Sequence, residues 1–254
     1  TDRLLNAELK SSHTPAAIRK RLQGGGSHSY LKDFVYGAID GAVTTFAVVC
    51  GVAGAQLSAK IVIILGLANL IGDGFSMAVG NFVGTRAEEQ LREKAKKTEE
   101  QHIDTIPEGE KEEIRQIFAA KGFQGKELER AVDIITSNRE QWVKTMLTEE
   151  LGLPSEIPSP IRAAVSTFAA FVIIGFLPLV SFIHQYFFPH TTYDPFFVST
   201  VLTGLAFFAV GALKGRFVEE KWYMAGIETL LVGSSSAFLA YLVGVLLKGL
   251  VNTP

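Results

Sequence analysis

Two aspartates lie inside long apolar stretches of this chain. Asp40 belongs to VYGAIDGAVTTFAVV, and Asp73 belongs to ANLIGDGFSMAVGN. An ionisable group in the hydrocarbon core of a membrane costs roughly 2.5 to 3.5 kcal/mol on insertion scales, so it normally faces other protein and marks a path for ions or protons. The two aspartates therefore make transport the leading functional hypothesis.

The second apolar stretch carries potential ligands at four-residue steps, which places them on one helix face: Asn69, Asp73, Met77 and Asn81. A membrane helix does not need these side chains for stability, and the glycines among them allow another backbone to approach closely. The ladder is therefore expected to face protein. Ordinary core filling would account for Met77 taken alone.

A second group of potential ligands lies between the second and third apolar stretches. Spacings of three or four residues place each of three pairs on one helix face: Glu99 with His102, Glu110 with Glu113, and Met146 with Glu150. Carboxylate, imidazole and thioether groups together suit Fe²⁺ or Mn²⁺ better than Mg²⁺ or Ca²⁺, which prefer oxygen ligands. The alternative is a solvated face, since charge on a cytosolic helix usually faces water.

Five apolar stretches have the roughly 20 residues that cross a bilayer as a helix: 34–55, 61–83, 161–188, 196–213 and 225–247. Pro178 predicts a kink in the third. Of the 24 Lys and Arg, all but Lys60 and Lys248 fall on one side of the membrane in this arrangement. The positive-inside rule then predicts a cytoplasmic N-terminus and a C-terminus that is outside or lumenal.

The expected architecture is all-α, a five-helix transmembrane bundle with a cytoplasmic three-helix domain inserted between spans two and three. Its expected parts are a cytoplasmic arm (1–30), spans one and two (31–85), the helical domain (86–159) and spans three to five (160–254). Within the domain we predict one helix that continues span two to His102, a second over 110–120 and a third from about 126 to 151.

The N-terminal arm is polar and basic and has no apolar core, so no signal peptide is expected. It is interpreted either as a short interfacial helix or as a disordered basic tail, joined to span one by a flexible glycine run over 24–26. The single cysteine, Cys50, lies inside a span, so neither an intrachain disulfide nor a cysteine metal site is expected.

At these residues the chain resembles the vacuolar iron transporter family. The similar segments follow one another through all five spans: DGAVTTFAVVCGVAGA, GFSMAVGNFVGTRAEEQ, FLPLV, VGALKGRF and IETLLVGSSSAFLAYLVG. The resemblance implies a secondary transporter, not an enzyme, that exports Fe²⁺ or Mn²⁺ from the cytosol. It further implies a homodimer in the lipid bilayer, with metal ions and protons as partners, no nucleic acid and no organic cofactor.

The resemblance also assigns roles to residues. Asp40 and Met77 match the metal path, and the expected ligands of the cytoplasmic domain are Glu99, His102, Glu110, Glu113, Met146, Glu149 and Glu150. His102 stands where the family has a glutamate, which makes the site less anionic and more sensitive to pH. The family's acid in span two lies one turn earlier, where this chain has Asn69, so Asp73 is the candidate replacement.

The leading functional hypothesis is a divalent metal/proton antiporter in the plasma membrane or a vacuole-like organelle. A membrane-tethered di-iron oxidase is the alternative, because ferritin-like sites use Glu-x-x-His motifs such as the one from Glu99 to His102. That site needs two such motifs, and this segment contains one. A passive channel is a third possibility.

Overall fold

The structure is a computed structural model that describes residues 10–23, 29–155 and 157–251. Within these ranges the secondary structure is helical, with no β-strand. The α-helices are α1 (Pro15–Gln23), α2 (Leu31–Gly54), α3 (Ala59–Thr105), α4 (Pro107–Ala120), α5 (Gly125–Thr136), α6 (Arg139–Thr145), α7 (Pro160–Gly175), α8 (Val180–Phe187), α9 (Pro195–Phe217) and α10 (Trp222–Val251). The glycine run over 24–26 lies outside the described residues.

Five helical segments are long and apolar enough to cross a membrane: α2, α3, the pair α7 and α8, α9, and α10. Their positions confirm the five stretches expected from the sequence. α3 has 47 residues and is therefore about 70 Å long, so it extends far beyond its apolar part. The protein is an integral membrane protein.

The chain divides into two compact units. The first contains Thr1–Ser29 and Thr85–Pro158, and the second contains Tyr30–Gly84 and Ser159–Pro254. The second unit holds the apolar helices, and we refer to it as the bundle. The first holds the acid-rich segment after the apolar part of α3, and we refer to it as the acidic unit.

In the bundle, α2 packs against α7, α9 and α10. Small residues allow these close approaches. A Cβ atom on Gly41 would lie 2.3 Å from the Phe171 carbonyl oxygen of α7, and a Cβ atom on Gly244 of α10 would lie 2.2 Å from the Gly51 carbonyl oxygen. Real Cβ atoms do not approach backbone oxygens so closely, so glycine is required at both positions.

The third span is interrupted at the proline that predicted a kink. α7 ends at Gly175, a 3₁₀ turn covers Leu177–Leu179, and α8 continues from Val180. A proline has no N–H for the helical hydrogen bond and clashes with the preceding turn, so the α-helix cannot pass through it unchanged. Ser199 of α9 donates a hydrogen bond of 2.7 Å to the freed Pro178 carbonyl.

In the acidic unit the second expected helix begins earlier than predicted. Pro107 is the first residue of α4, because proline is favoured where the N–H needs no helical partner. The single third helix expected over 126–151 is wrong. α5 ends at Thr136, and Asn138 caps a separate α6 by accepting a hydrogen bond of 3.0 Å from the Gln141 N–H. Side-chain capping therefore starts a new helix there.

The hydrophobic core of the acidic unit joins α3, α4, α5 and α6. It contains Ile103, Ile114, Val132, Trp142, Val143, Met146 and Leu147. Two surface contacts fasten the same helices. The Arg139 guanidinium binds the Asp104 carboxylate at the end of α3, and Arg115 of α4 binds the Glu129 carboxylate of α5 at 2.9 Å.

The close approach of α2 to α7 gives a first prediction. Gly41→Ala places a methyl group against the Phe171 backbone, and such overpacking should destabilise the bundle by about 1–3 kcal/mol. Thermal unfolding of the full chain in detergent would measure the change.

The matched control is Gly249→Ala in α10, where a new Cβ atom meets nothing within 4 Å. This variant should be neutral or slightly more stable, since alanine is favoured over glycine within helices. Equal unfolding midpoints for the two variants would show that α2 and α7 do not approach as described.

Candidate metal centre

A tight connection between α3 and α4 brings potential metal ligands together. α3 ends at Thr105 and α4 begins at Pro107, so Ile106 alone connects them. The Ile106 N–H donates to the His102 carbonyl at 2.7 Å, and the Glu110 N–H donates to the Ile106 carbonyl at 3.2 Å. The end of α3 is therefore held beside the first turn of α4.

Three side chains converge at this connection. Ligand atoms of Glu99, His102 and Glu110 all lie within 4.8 Å of one another. The His102 Nδ1 atom is 3.3 Å from Glu110 Oε1. Ligands on opposite sides of one divalent ion, each about 2.1 Å from it, are about 4.2 Å apart. The spacing therefore suits a single ion held by two carboxylates and an imidazole.

Burial makes these carboxylates unusual. Glu99 is 4% exposed and Glu110 is 1% exposed. The Oε2 atom of each is buried, and within the described part of the chain neither has a hydrogen-bond partner. Buried polar atoms nearly always have a partner, because leaving one without costs free energy. The two oxygens are therefore suited to a proton or a cation. The His102 side chain is 47% exposed, which gives an ion access from solvent.

The electrostatics of the site favour a cation. Burial, followed by repulsion from Glu113, Glu99 and Glu150, raises the pKa of Glu110 to about 7, although His102 acts in the opposite direction. The pKa of Glu150 is also raised, mainly by burial and then by Glu113 and Glu99. A bound cation would relieve the repulsion among these carboxylates. Glu113 and Glu150 are thus close enough to act on the group of three.

The remaining two expected ligands have different surroundings. Met146 is fully buried in the hydrophobic core and begins a π-helical turn, Met146–Glu150. Such turns are rare and frequently occur at functional sites. The Glu149 carboxylate instead forms an ion pair of 2.6 Å with the Lys121 ammonium group after α4. The structure therefore does not bring Glu149 together with the group of three.

The bundle holds a second set of polar groups, arranged in levels between α2 and α3. At one level the Asn81 side-chain amide donates to the Asp33 carboxylate at 2.8 Å and to the Thr167 hydroxyl of α7 at 2.7 Å. At the opposite level the Asn69 amide donates to the Thr44 hydroxyl at 3.1 Å. Polar side chains thus tie these helices together at both ends of their apolar contact.

Asp40 lies between those two levels. It is half-buried, and its carboxylate is close enough to interact electrostatically with that of Asp73. Met77 is also half-buried and packs against the core of the bundle. Asp73 itself is exposed in the single chain. Asn69 and Asn81 therefore face protein within the single chain, whereas the face of α3 that carries Asp73 is not covered by the chain's own described helices.

Sequence reasoning missed Asp33, although a signal was available. Asp33 and Asp40 are seven residues apart, which is two helical turns, so they share one face of α2. Because Asp33 lies at the start of the apolar stretch, it was not distinguished from the other charges of the arm. Its hydrogen bond with Asn81 links it to the polar ladder of α3.

The comparison with known proteins decides the family. The family model that matches covers residues 31–245 and is described as the VIT family. The chain belongs to the VIT family. It is 33% identical to the "Vacuolar iron transporter" of Toxoplasma gondii, over 98% of this chain and 82% of that protein. It is 32% identical to "Vacuolar iron transporter 1" of Arabidopsis thaliana, over 83% of each chain.

A third VIT relative, the "Vacuolar iron transporter" of Plasmodium berghei, is 30% identical over 86% of this chain and 82% of that protein. The family match covers α2 to α9 in full together with most of α10. It therefore includes both the polar levels of the bundle and the ligand group of the acidic unit. The resemblance to the vacuolar iron transporter family is confirmed.

The ligand group gives a second prediction. Glu110→Gln keeps the shape of the side chain but removes its negative charge. The full chain in detergent should therefore bind Mn²⁺ roughly 10- to 100-fold more weakly, which is the loss seen when a residue that supports a metal ligand is changed. Isothermal titration calorimetry at pH 7.5 would measure the affinity. Glu149→Gln is the matched control and should leave the affinity unchanged, since Glu149 pairs with Lys121. Equal losses would indicate only diffuse charge attraction.

The raised pKa of Glu110, about 7 against an ordinary value of 4.5, gives a third prediction. Between these values the folded state binds more protons than the unfolded state, so the stability of the metal-free acidic unit should fall as pH rises from 4.5 to 7. The loss should approach roughly 3 kcal/mol. Thermal unfolding in the presence of a chelator, at pH 5 and pH 8, would measure it.

The same protonation should weaken metal binding below pH 7, by up to about tenfold for each pH unit, because the ion must displace one proton. Glu110→Gln carries no titratable group there and should flatten both pH profiles. Identical profiles for the variant and the unchanged protein would contradict the assignment of this proton to Glu110.

Proposed function

We propose that this protein transports divalent iron across a membrane in exchange for protons, and that it accepts Mn²⁺ as well. The observation that carries the proposal is the series of polar levels between α2 and α3. Asp33 with Asn81, Asp40 with Asp73, and Thr44 with Asn69 occupy successive positions within otherwise apolar helices. Polar groups at such depth are costly and mark a path for ions.

The choice of metal rests on the donor set and on the family. Carboxylate oxygens, an imidazole nitrogen and thioether sulfurs together suit first-row divalent ions. Three relatives are named as vacuolar iron transporters. Because Mn²⁺ and Fe²⁺ tolerate similar ligands, we propose Fe²⁺ as the principal substrate and Mn²⁺ as a second.

Antiport follows from competition for a carboxylate. A carboxylate binds a divalent ion only in its ionised form. A proton and a metal ion therefore compete for the same carboxylate. In our proposal a metal ion that reaches Asp40 displaces a proton, and a proton arriving from the other side releases the metal. The exposed Asp73 supplies a second carboxylate at the same level.

The acidic unit is proposed to collect the ion from the cytosol before transport, through Glu99, His102 and Glu110. Glu113, Met146 and Glu150 are proposed to complete the site. The charge distribution supports a cytoplasmic acidic unit and N-terminus, so export from the cytosol into a vacuole-like organelle is the proposed direction.

A homodimer is part of the same proposal. The exposed position of Asp73 supports it, because a second copy would cover that face.

A di-iron oxidase is not favoured. Such a site requires two Glu-x-x-His motifs and two further glutamates on four helices. The described residues contain one group of three ligands, with one such motif. The relatives are named as transporters, and none of the three is named as an oxidase.

The proposal yields a fourth prediction. Asp40→Asn should abolish Mn²⁺ accumulation by proteoliposomes with an acidic interior, because the amide cannot exchange a proton for the metal. Asp194→Asn is the matched control. Asp194 caps α9 by accepting a hydrogen bond from the Phe196 N–H at 2.9 Å, and asparagine caps helices equally well. This control should transport normally.

The gradient itself separates antiport from passive flow. Uphill Mn²⁺ accumulation should require the pH gradient and stop when an ionophore collapses it. Flux that only follows the metal gradient would support a channel and contradict the exchange mechanism. Normal flux through Asp40→Asn would show that Asp40 takes no part in the path.

A further inference from the structure

The acidic unit contains a groove between α3 and α6 whose charge is opposite in sign to that of its surroundings. The groove has a volume of about 550 Å³. Residues 85–158 include 12 Lys and Arg against 17 Asp and Glu, yet the groove is lined by four basic residues and two acidic ones. A local excess of positive charge in a negative segment directs anions to that place.

Arg92 of α3 is held in the wall of the groove by two backbone carbonyl groups. Its Nε atom donates to the Pro154 carbonyl at 3.0 Å, and its Nη2 atom donates to the Ser155 carbonyl at 2.8 Å. A guanidinium group has five N–H donors, and no hydrogen bond among the described residues uses the other three. Arg92 is therefore fixed in position and retains donors and an unpaired charge for a ligand.

Two lysines line the groove together with Arg92. Lys96 is four residues after Arg92, so the two share one face of α3, and Lys144 belongs to α6. In the part of the chain that the structure describes, Lys144 forms no ion pair, and Lys96 forms one exposed pair of 3.8 Å with Glu100. Such exposed pairs contribute little free energy. Both ammonium groups are therefore available to an anion.

The fourth basic residue of the groove, Arg139, already has its partner. Both of its terminal nitrogens donate to the Asp104 carboxylate, and one of them also donates to the Glu100 carbonyl at 3.1 Å. We therefore assign Arg139 to the wall of the groove and not to a ligand. Three basic groups then remain against the carboxylates of Glu100 and Glu140, so the groove keeps a positive balance.

The floor of the groove is apolar. Val143 and Leu147 line it, and both are buried members of the hydrophobic core of the acidic unit. Sites for small molecules typically have volumes of about 300–1,000 Å³ and combine an apolar lining with a few polar groups. The groove therefore has room for an anionic group together with a small organic part.

A phosphate group suits these three donors. The planar guanidinium of arginine binds two phosphate oxygens at once, and the ammonium group of lysine adds a compact charge to the same anion. A phosphate monoester carries a charge of about −1.5 to −2 at pH 7, whereas a single carboxylate carries −1. The more highly charged anion is the better match for three converging basic groups.

We propose that the groove between α3 and α6 binds a phosphate group through Arg92, Lys96 and Lys144. The phosphate belongs either to a soluble compound or to the headgroup of an anionic phospholipid, since both present the same oxygens. The groove shares no residue with the metal-binding group of the acidic unit. It is therefore a separate site, which does not depend on the proposed transport of metal.

Isothermal titration calorimetry of the full chain in detergent tests the proposal with two probes. Pyrophosphate represents a soluble phosphate compound, and short-chain phosphatidic acid represents a lipid headgroup. The protein is first dialysed free of metal, because pyrophosphate itself binds divalent ions. At least one probe should bind at millimolar concentration, and it should raise the unfolding temperature of the protein, since a ligand of the folded state stabilises it.

Charge variants locate the binding. Lys96→Gln/Lys144→Gln should weaken binding of the probe roughly 10- to 100-fold, because each lost charged hydrogen bond accounts for up to about tenfold. The matched control is Lys97→Gln/Lys126→Gln, which removes the same charge from exposed positions outside the groove and should leave the affinity unchanged. Arg92 is kept in both variants, because its side chain also holds the backbone at Pro154 and Ser155.

The outcomes separate the two sources of phosphate from failure of the proposal. Binding of pyrophosphate that the groove variant weakens would support a soluble compound, and such binding of phosphatidic acid alone would support a lipid headgroup. Equal losses in the two double variants would overturn the proposal, because the probe would then respond only to net charge. Absence of binding by either probe would also overturn it.

A single variant covers the case in which the double variant is unstable without ligand. Lys144→Gln breaks no ion pair among the described residues, so it should unfold at the same temperature as the unchanged protein and still bind the probe about tenfold more weakly. Unchanged affinity in this variant would overturn the proposal. Transport by the Asp40 variant and Mn²⁺ binding by the Glu110 variant are measured without these probes, so failure here is distinct from failure of the proposed function.

Discussion

The cost of placing a charged group away from water constrains both units of this protein. In the bundle this cost requires polar side chains to find partners in neighbouring helices, and the Asn81 amide bridges Asp33 and Thr167 for this reason. In the acidic unit it leaves the carboxylates of Glu99 and Glu110 buried, each with an oxygen atom that has no hydrogen-bond partner among the described residues. A cation or a proton removes the cost in either place.

The arrangement of the bundle depends on how closely its helices approach. α2 contacts α7 and α10 through positions where even a methyl group would meet backbone oxygen atoms, at Gly41 and Gly244. Such contacts fix both the rotation of α2 about its axis and its height relative to its neighbours. The rotation decides which of its side chains meet α3, and so it positions Asp33, Asp40 and Thr44 on the side that carries the polar levels.

The two polar sites differ in ways that suit successive steps of transport. The group of Glu99, His102 and Glu110 combines buried carboxylates with a half-exposed imidazole, so an ion can reach it directly from solvent. The pKa of Glu110, raised to about 7, means that modest changes in pH alter the charge of the site. Affinity that responds to pH in this range allows a captured ion to be released. In the proposed mechanism the bundle then exchanges that ion for a proton.

The sequence by itself determined the features that depend on local patterns. The five apolar helices, the interruption at Pro178 and the spacing of the ligand pairs follow from hydropathy, proline geometry and the helical repeat. The π-helical turn at Met146 and the division between α5 and α6 were not foreseen, because they depend on capping and on core contacts. Only the tertiary structure separated Glu149, which pairs with Lys121, from the group at Glu110. Only the tertiary structure showed Asp33 bonded to Asn81 and Asp73 exposed in the single chain. The physical reason is that periodicity assigns a residue to a face of its own helix, whereas its partner depends on which helix covers that face.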